Sequence, residues 1–297
     1  MATYCIPNSK ALALALCSVV LSVPVLAETE STLNLSANYH SNVPNALSEP
    51  NVFGDSFVDL NYRINRFFVT SPGNRLSIGA EAGARQYRHT QGLESANVGV
   101  GLAYSHRVGL GPYAPRYNLG LSVNRVEFSD QSRDSWVSQL SAEFAKRLSP
   151  AWLLTMGINA RHRNAGENQS LAYKPTASGA VFNQSSREFL SRLEYTMLNA
   201  HAIRFGYRFR DGDIDASSPP GTPLLPISKA IAFDRGIGGE YVAYLLEART
   251  QGLSLEWSMP LATDTGLTLG YERLIARAGQ GNKYFNYNLR AELNLRF

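Results

Sequence analysis

The strongest constraint on this chain is its last stretch, Lys283 to Phe297. From Phe285 every odd position is apolar or aromatic: Phe285, Tyr287, Leu289, Ala291, Leu293, Leu295 and Phe297. Every even position is polar or charged: Asn286, Asn288, Arg290, Glu292, Asn294 and Arg296. A period of two over thirteen residues predicts a long strand with one oily and one wet face. In a soluble sheet the wet face meets bulk water. In a membrane barrel the oily face meets lipid and the wet face lines the lumen.

The same alternation recurs along the chain. Leu33, Leu35, Ala37 and Tyr39 oppose Asn34, Ser36, Asn38 and His40. Trp152, Leu154, Met156, Ile158 and Ala160 oppose Thr155, Gly157, Asn159 and Arg161. Ile203, Phe205, Tyr207 and Phe209 oppose Arg204, Gly206, Arg208 and Arg210. Twelve such segments are expected in all. Their length is near the roughly 9–11 residues that cross a bilayer, against the shorter strands of a soluble sandwich or propeller. Trp136, Trp152, Tyr39 and Phe297 sit toward strand ends on the oily face, as interfacial girdles do.

Connections alternate too. Ser71–Asn74, Ser149-Pro150, Asn199-Ala200 and Thr263–Gly266 read as tight turns, whereas Ser41–Phe53, Asn164–Gln184 and Asp211–Gly239 are longer. Glu240–Ala248 also looks extended and is taken as the upper part of the tenth strand. In the alternative, Leu225–Phe233 and Glu240–Arg249 add a hairpin and give fourteen strands; Pro226 and Lys229 weigh against it.

Residues 1–27 read as a secretory signal: Lys10, an apolar run from Ala11 to Leu21, and small residues at Val25 and Ala27. The apolar run is short for a membrane-spanning helix, and Leu16 disfavours lipidation at Cys17. Both cysteines, Cys5 and Cys17, lie in this segment. Residues 28–297 therefore offer no disulfide, thiolate metal site or cysteine nucleophile. They are expected to form one domain. The net charge is only +4 and there is no basic run, which sets nucleic-acid binding aside. No later run is apolar enough for a helical span, so membrane residence requires a barrel.

With its twelve alternating segments, short turns on one rim and terminal strand ending on Phe297, the chain resembles the Gram-negative outer-membrane β-barrel superfamily. The resemblance covers residues 28–297 at the level of pattern. It implies an all-β, antiparallel up-and-down transmembrane barrel with periplasmic turns and extracellular loops. It also implies contact with outer-membrane lipids and lipopolysaccharide. Tyr287, Leu295 and Phe297 resemble the terminal signal read by the barrel-assembly machinery. Twelve-stranded relatives include acidic-oligosaccharide porins, nucleoside channels, a phospholipase and autotransporter translocators, so barrel size does not choose a function.

The inward face is unusually charged. It carries Arg63, Arg85, Arg107, Arg161, Arg163, Arg192, Arg204, Arg208, Arg210, Arg290 and Arg296. Against them stand Asp59, Glu81, Glu143, Glu188, Glu194, Glu256, Glu272 and Glu292. Arginine presents forked donors to carboxylates and phosphates, so one reading is a narrow porin-like pore for small or anionic solutes. The other is a non-conducting accessory barrel of envelope or polysaccharide assembly. That reading predicts Arg–Glu pairs across the lumen and an inward-folded Asp211–Gly239 segment.

A third reading is a lipid hydrolase using His40 and Ser41. As neighbours on a strand their side chains diverge, which disfavours it. His89, His106, His162 and His201 have no serine or acid at a telling sequence spacing. Asp211, Asp213 and Asp215 have the start of a calcium-loop spacing, but Ala216 and Thr222 stand where Gly and Glu are needed. Ser217–Pro223 reads as an exposed loop. No cofactor is expected.

Overall fold

The computed structural model describes residues 28–47, 51–165, 180–220, 224, 227–238 and 240–297. The expected signal segment lies outside these. The strands are β1 (Glu28–His40), β2 (Asp55–Ser71), β3 (Asn74–Tyr87), β4 (Ser95–Arg107), β5 (Arg116–Phe128), β6 (Ser135–Arg147) and β7 (Trp152–Asn164). They continue as β8 (Gln184–Thr196), β9 (Ala202–Ser218), β10 (Ala230–Phe233), β11 (Val242–Ala262), β12 (Thr265–Ala278) and β13 (Lys283–Arg296). Consecutive strands pair antiparallel from β1 to β9 and from β10 to β13, β13 pairs with β1, and β9 pairs with β11 and not with β10. The ring is therefore closed by twelve strands, and β10 stands outside its wall as one extra strand.

Closure leaves the ring no unpaired edge, so its backbone polar groups are satisfied without water. The oily face predicted from the sequence points outward. Leu35, Leu60, Leu102, Leu121, Leu140, Ile158, Phe205, Leu255 and Leu289 are all exposed on it. Exposed apolar side chains on every side suit lipid and not water. Aromatic pairs mark both ends: Trp152 with Tyr195 at 4.8 Å and Tyr117 with Phe144 at 5.2 Å near the short turns, Tyr39 with Tyr287 at 5.9 Å near the long loops. Among the described residues no helix is long and apolar enough to cross a membrane.

β11 is a single 21-residue strand, as the reading of Glu240–Ala248 as an upward extension requires. The extra-hairpin alternative is half present. β10 does pair with β11, through Ala230–Leu245 to Phe233–Val242, but above the wall, so fourteen barrel strands do not form.

The segment expected as a loop from Asp211 is also corrected, because β9 continues to Ser218. Ser217 and Ser218 are buried strand residues rather than part of an exposed loop.

Candidate functional site: a roofed lumen

The extensions of β9 and β11 decide the shape of the outer mouth. β9 pairs with β8 only as far as Gly212, opposite Ser186, but with β11 as far as Ser218, opposite Val242. β11 in turn meets β12 only from Ala248 downward. Above the Gly212–Ala248 pair the two strands are free of the wall, and β10 joins the freed edge of β11. Gly212 has φ +143°, and a Cβ there would lie 2.4 Å from the Ser185 carbonyl. Glycine is therefore required where the sheet leaves the wall.

The freed sheet is buried on both faces. Ile214, Ala216, Val242, Tyr244 and Leu246 pack toward Leu47 and Tyr284. Ala230, Ala232, Ala243 and Leu245 pack on Ala165, Val181 and Phe182. Full burial of each large side chain is worth about 1.5–3 kcal/mol. The segment after β10 goes further, placing Ile237 against Phe57, Tyr87 and Leu93. Those residues belong to β2, β3 and the β3–β4 connection, far around the ring from β11. The sheet is thus a roof that spans the mouth.

One side chain latches it. Arg133, in the β5–β6 connection, donates from Nη2 to Asp234 at 2.7 and 2.9 Å and from Nη1 to Asp215 at 3.2 Å. Its guanidinium also lies 4.2 Å from the centre of the Phe182 ring. Asp234 additionally accepts from Ser217 Oγ and from the Gly236 amide. Burial works to raise the Asp215 carboxyl, but Arg133 and Arg163 beside it hold it below the ordinary carboxylate range.

Below the roof, most inward arginines meet carboxylates. Directly opposed residues give Arg63–Glu81, Arg85–Asp59 and Arg204–Glu194. Two further pairs skip a strand by passing over a glycine. Arg290 reaches Glu256 at 2.6 Å across Gly270, and Arg208 reaches Glu272 at 2.7 Å across Gly252. Glu292 pairs with Arg290, Arg208 lies 3.7 Å from Glu188, and Glu143 accepts from Asn118.

Among the described residues, Arg161, Arg163, Arg192 and Arg210 make no carboxylate ion pair. Arg163 is turned to the Ser135 hydroxyl and the Arg133 carbonyl, and Arg210 to the Asp213 carbonyl. Arg161 and Arg192 are open to the lumen. The charged wall encloses a cavity of ≈ 430 Å³ that includes Arg192, Arg204, Arg208 and Glu272. The opposite wall, with Gly79, Gly101, Gly120, Ser122 and Ser141, leaves ≈ 340 Å³.

Several expectations change. Arg107 is a rim residue, bonded to the Gly111 carbonyl in the short β4–β5 turn, and does not join the lumen network. Arg296 likewise pairs with Glu30 at the end of the barrel. His40 packs edge-on against Phe57, while Ser41 Oγ donates to Asn286 and accepts from the Tyr287 amide. The pair therefore diverges, as neighbours on a strand must. Asp211, Asp213 and Asp215 form no calcium loop: they lie on β9 and pair respectively with Arg249, Lys229 and Arg133. His89 and His162, which have no telling sequence neighbours, find Asp55 and Ser185 through space.

No protein-family model matches the sequence, and no curated protein sequence matches it either. Solved structures do. An outer membrane channel from Pseudomonas putida F1 aligns over 93% of this chain and 97% of its own at 12% identity, with a TM-score of 0.55. The NanC porin aligns over 89% of this chain and 98% of its own at 11% identity, with a TM-score of 0.45. At such identities the likeness is one of fold. The chain has the fold of the outer-membrane β-barrels, in the twelve-stranded size.

Proposed function

We propose that this chain is an outer-membrane channel that rests closed under its own roof and passes small polar solutes when the roof lifts. The observation that carries the reading is the Arg133 latch, which ties Asp215 and Asp234 of the roof to the far side of the mouth. Arg161 and Arg192, open to the lumen without a carboxylate, favour small anions over cations. Export with cleavage after Ala27, and insertion through the Phe297 terminus by the barrel-assembly machinery, belong to the same reading. The channel-like fold supports a non-enzymatic role.

A second reading is favoured by the strand-skipping pairs Arg290–Glu256 and Arg208–Glu272. They stiffen the lumen as a structural barrel would, and that barrel would never conduct.

Planar-bilayer recording separates the two. Removing one partner from a buried ion pair costs about 3–5 kcal/mol, enough to loosen the roof where Arg133 ties it to the far side of the mouth. Wild-type protein is expected to be silent or nearly so. Arg133→Ala is expected to show conductance steps with a reversal potential that favours anions. Silence in both Arg133→Ala and Asp234→Ala, with both variants folded, would leave the structural barrel as the function.

A further inference from the structure

The outer surface of β6–β9 carries a second site, on the lipid side of the wall. Outward residues change from apolar to charged along a single lateral row. Ile158, Phe189 and Phe209 are paired neighbours in one row. The next row toward the mouth is Ala160, Arg187, Asp211 and Arg249, again directly paired. The row above holds His162 opposite Ser185, and Asp213 opposite Glu247. On β8 and β9, Phe189 and Phe209 thus give way to Arg187 and Asp211 within one row, which is where hydrocarbon gives way to headgroups.

At this boundary the surface is indented by ≈ 540 Å³. The lower wall of the dent is Leu121, Leu140 and Ala160, continuous with the lipid-facing belt. The small Ala160 makes the room. The upper wall is polar. Lys229 is already committed to Asp213 at 2.8 Å and Glu247 at 3.1 Å, and Arg249 to Asp211 at 3.3 Å. Arg187 is different: among the described residues it makes no ion pair, although Asp211 is its direct neighbour. It is exposed, and two positions along the same face Ser185 Oγ is hydrogen-bonded to His162 Nδ1 at 2.9 Å.

We infer that this dent seats one phosphate-bearing membrane lipid, with the phosphate on Arg187, Ser185 and His162 and an acyl chain against Ala160 and Leu140. A guanidinium left without a carboxylate at the headgroup level matches a phosphate with its paired donors. The apolar lower wall requires the anion to carry a hydrocarbon chain, which excludes a free phosphate as the natural occupant. The inference needs only the membrane placement of the barrel, not a conducting lumen.

Native mass spectrometry of the full barrel, released from detergent with lipid A as the probe, tests it. Wild-type protein is expected to retain one lipid A. Arg187→Gln is expected to weaken retention about tenfold, the loss of one charge-assisted pair. Arg249→Gln, two positions further along the row and already paired with Asp211, is expected to leave retention unchanged. Lipid A stripped of its phosphates is expected to dissociate from wild-type protein. Arg187, Arg249 and Ser185 are all exposed, and the heat-modifiable band of the folded barrel on electrophoresis reports that each variant is intact. Equal retention by Arg187→Gln, or equal retention of the dephosphorylated lipid, would overturn the site. Loss of an acyl chain from the bound lipid, abolished in Ser185→Ala, would overturn a pure binding role in favour of ester cleavage. Conductance is not an arm of this test, so a silent channel leaves the lipid site standing, and a conducting one does not rescue it.

Discussion

At the scale of the residue, the least legible groups were those that meet partners far away in sequence. Asp55 is one. No motif in the sequence marks it, yet at the start of β2 its side chain is only 1% exposed. Burial acts to raise its pKa, but hydrogen bonds from the Thr90 hydroxyl and amide and from His89 outweigh this and bring it down to about 2. The sign follows. A carboxyl whose folded pKa is depressed contributes stability that is present above the unfolded pKa, about 3.9, and is lost as pH falls toward 2. Asp55→Asn is therefore expected to cost on the order of 2 kcal/mol at neutral pH and to flatten the dependence between pH 4 and 2. Hydrogen exchange at the Thr90 amide reads this directly; an unchanged acid profile in the variant would contradict it. Arg133 was missed in the same way. It was not among the inward arginines predicted from the pattern because it sits in a connection, where alternation says nothing.

At the scale of the element, the alternation placed the barrel strands and their faces, because period two is a property of the strand itself. The roof left a weaker signal that could have been used. Tyr241-Val-Ala-Tyr-Leu-Leu246 loses the alternation and is apolar on both faces. A strand apolar on both faces is one buried on both, unlike a barrel stave. That segment is the central strand of the roof, where Val242, Ala243 and Tyr244 have no exposed surface. The bend at its base depends on Gly212. Gly212→Val is expected to cost about 1–3 kcal/mol through the φ of +143° and the crowding against Ser185 and Ser186. The cost falls on the roof rather than on the wall. Trypsin cleavage at Arg235, slow in wild-type protein, is expected to accelerate while the membrane-embedded barrel stays intact; equal cleavage rates would show that the bend tolerates a side chain.

At the scale of the molecule, closure is what makes the wall stable, and it is completed by the pairing of β1 with β13. β1 and β13 pair from Thr32–Arg296 to His40–Asn288. Phe297 extends the seam: its amide donates to the Ser31 carbonyl at 2.9 Å, and the Ser31 amide donates to its carbonyl at 3.2 Å. Deleting Phe297 removes both bonds and an exposed lipid-facing ring. Refolding into lipid vesicles is expected to slow several-fold, read as the appearance of the heat-modifiable band. A rate equal to wild type would limit Phe297 to recognition during assembly.

The sequence by itself determined the barrel: its antiparallel order, which face meets lipid and which rim carries the short turns, with the strand number left at twelve or fourteen. These follow from local periodicity and turn chemistry, and a closed ring is the one arrangement that satisfies so many amphipathic strands in lipid. Only the tertiary structure showed the sheet that lies over the mouth. The latch joins residues 101 apart in sequence, Arg133 and Asp234, and the lumen pairs skip strands over glycines whose sequence positions look like any others. Contacts of that kind depend on ring diameter and on where a free sheet bends. Neither is encoded in a period of two, so the roof and the ties beneath it come from packing across the ring.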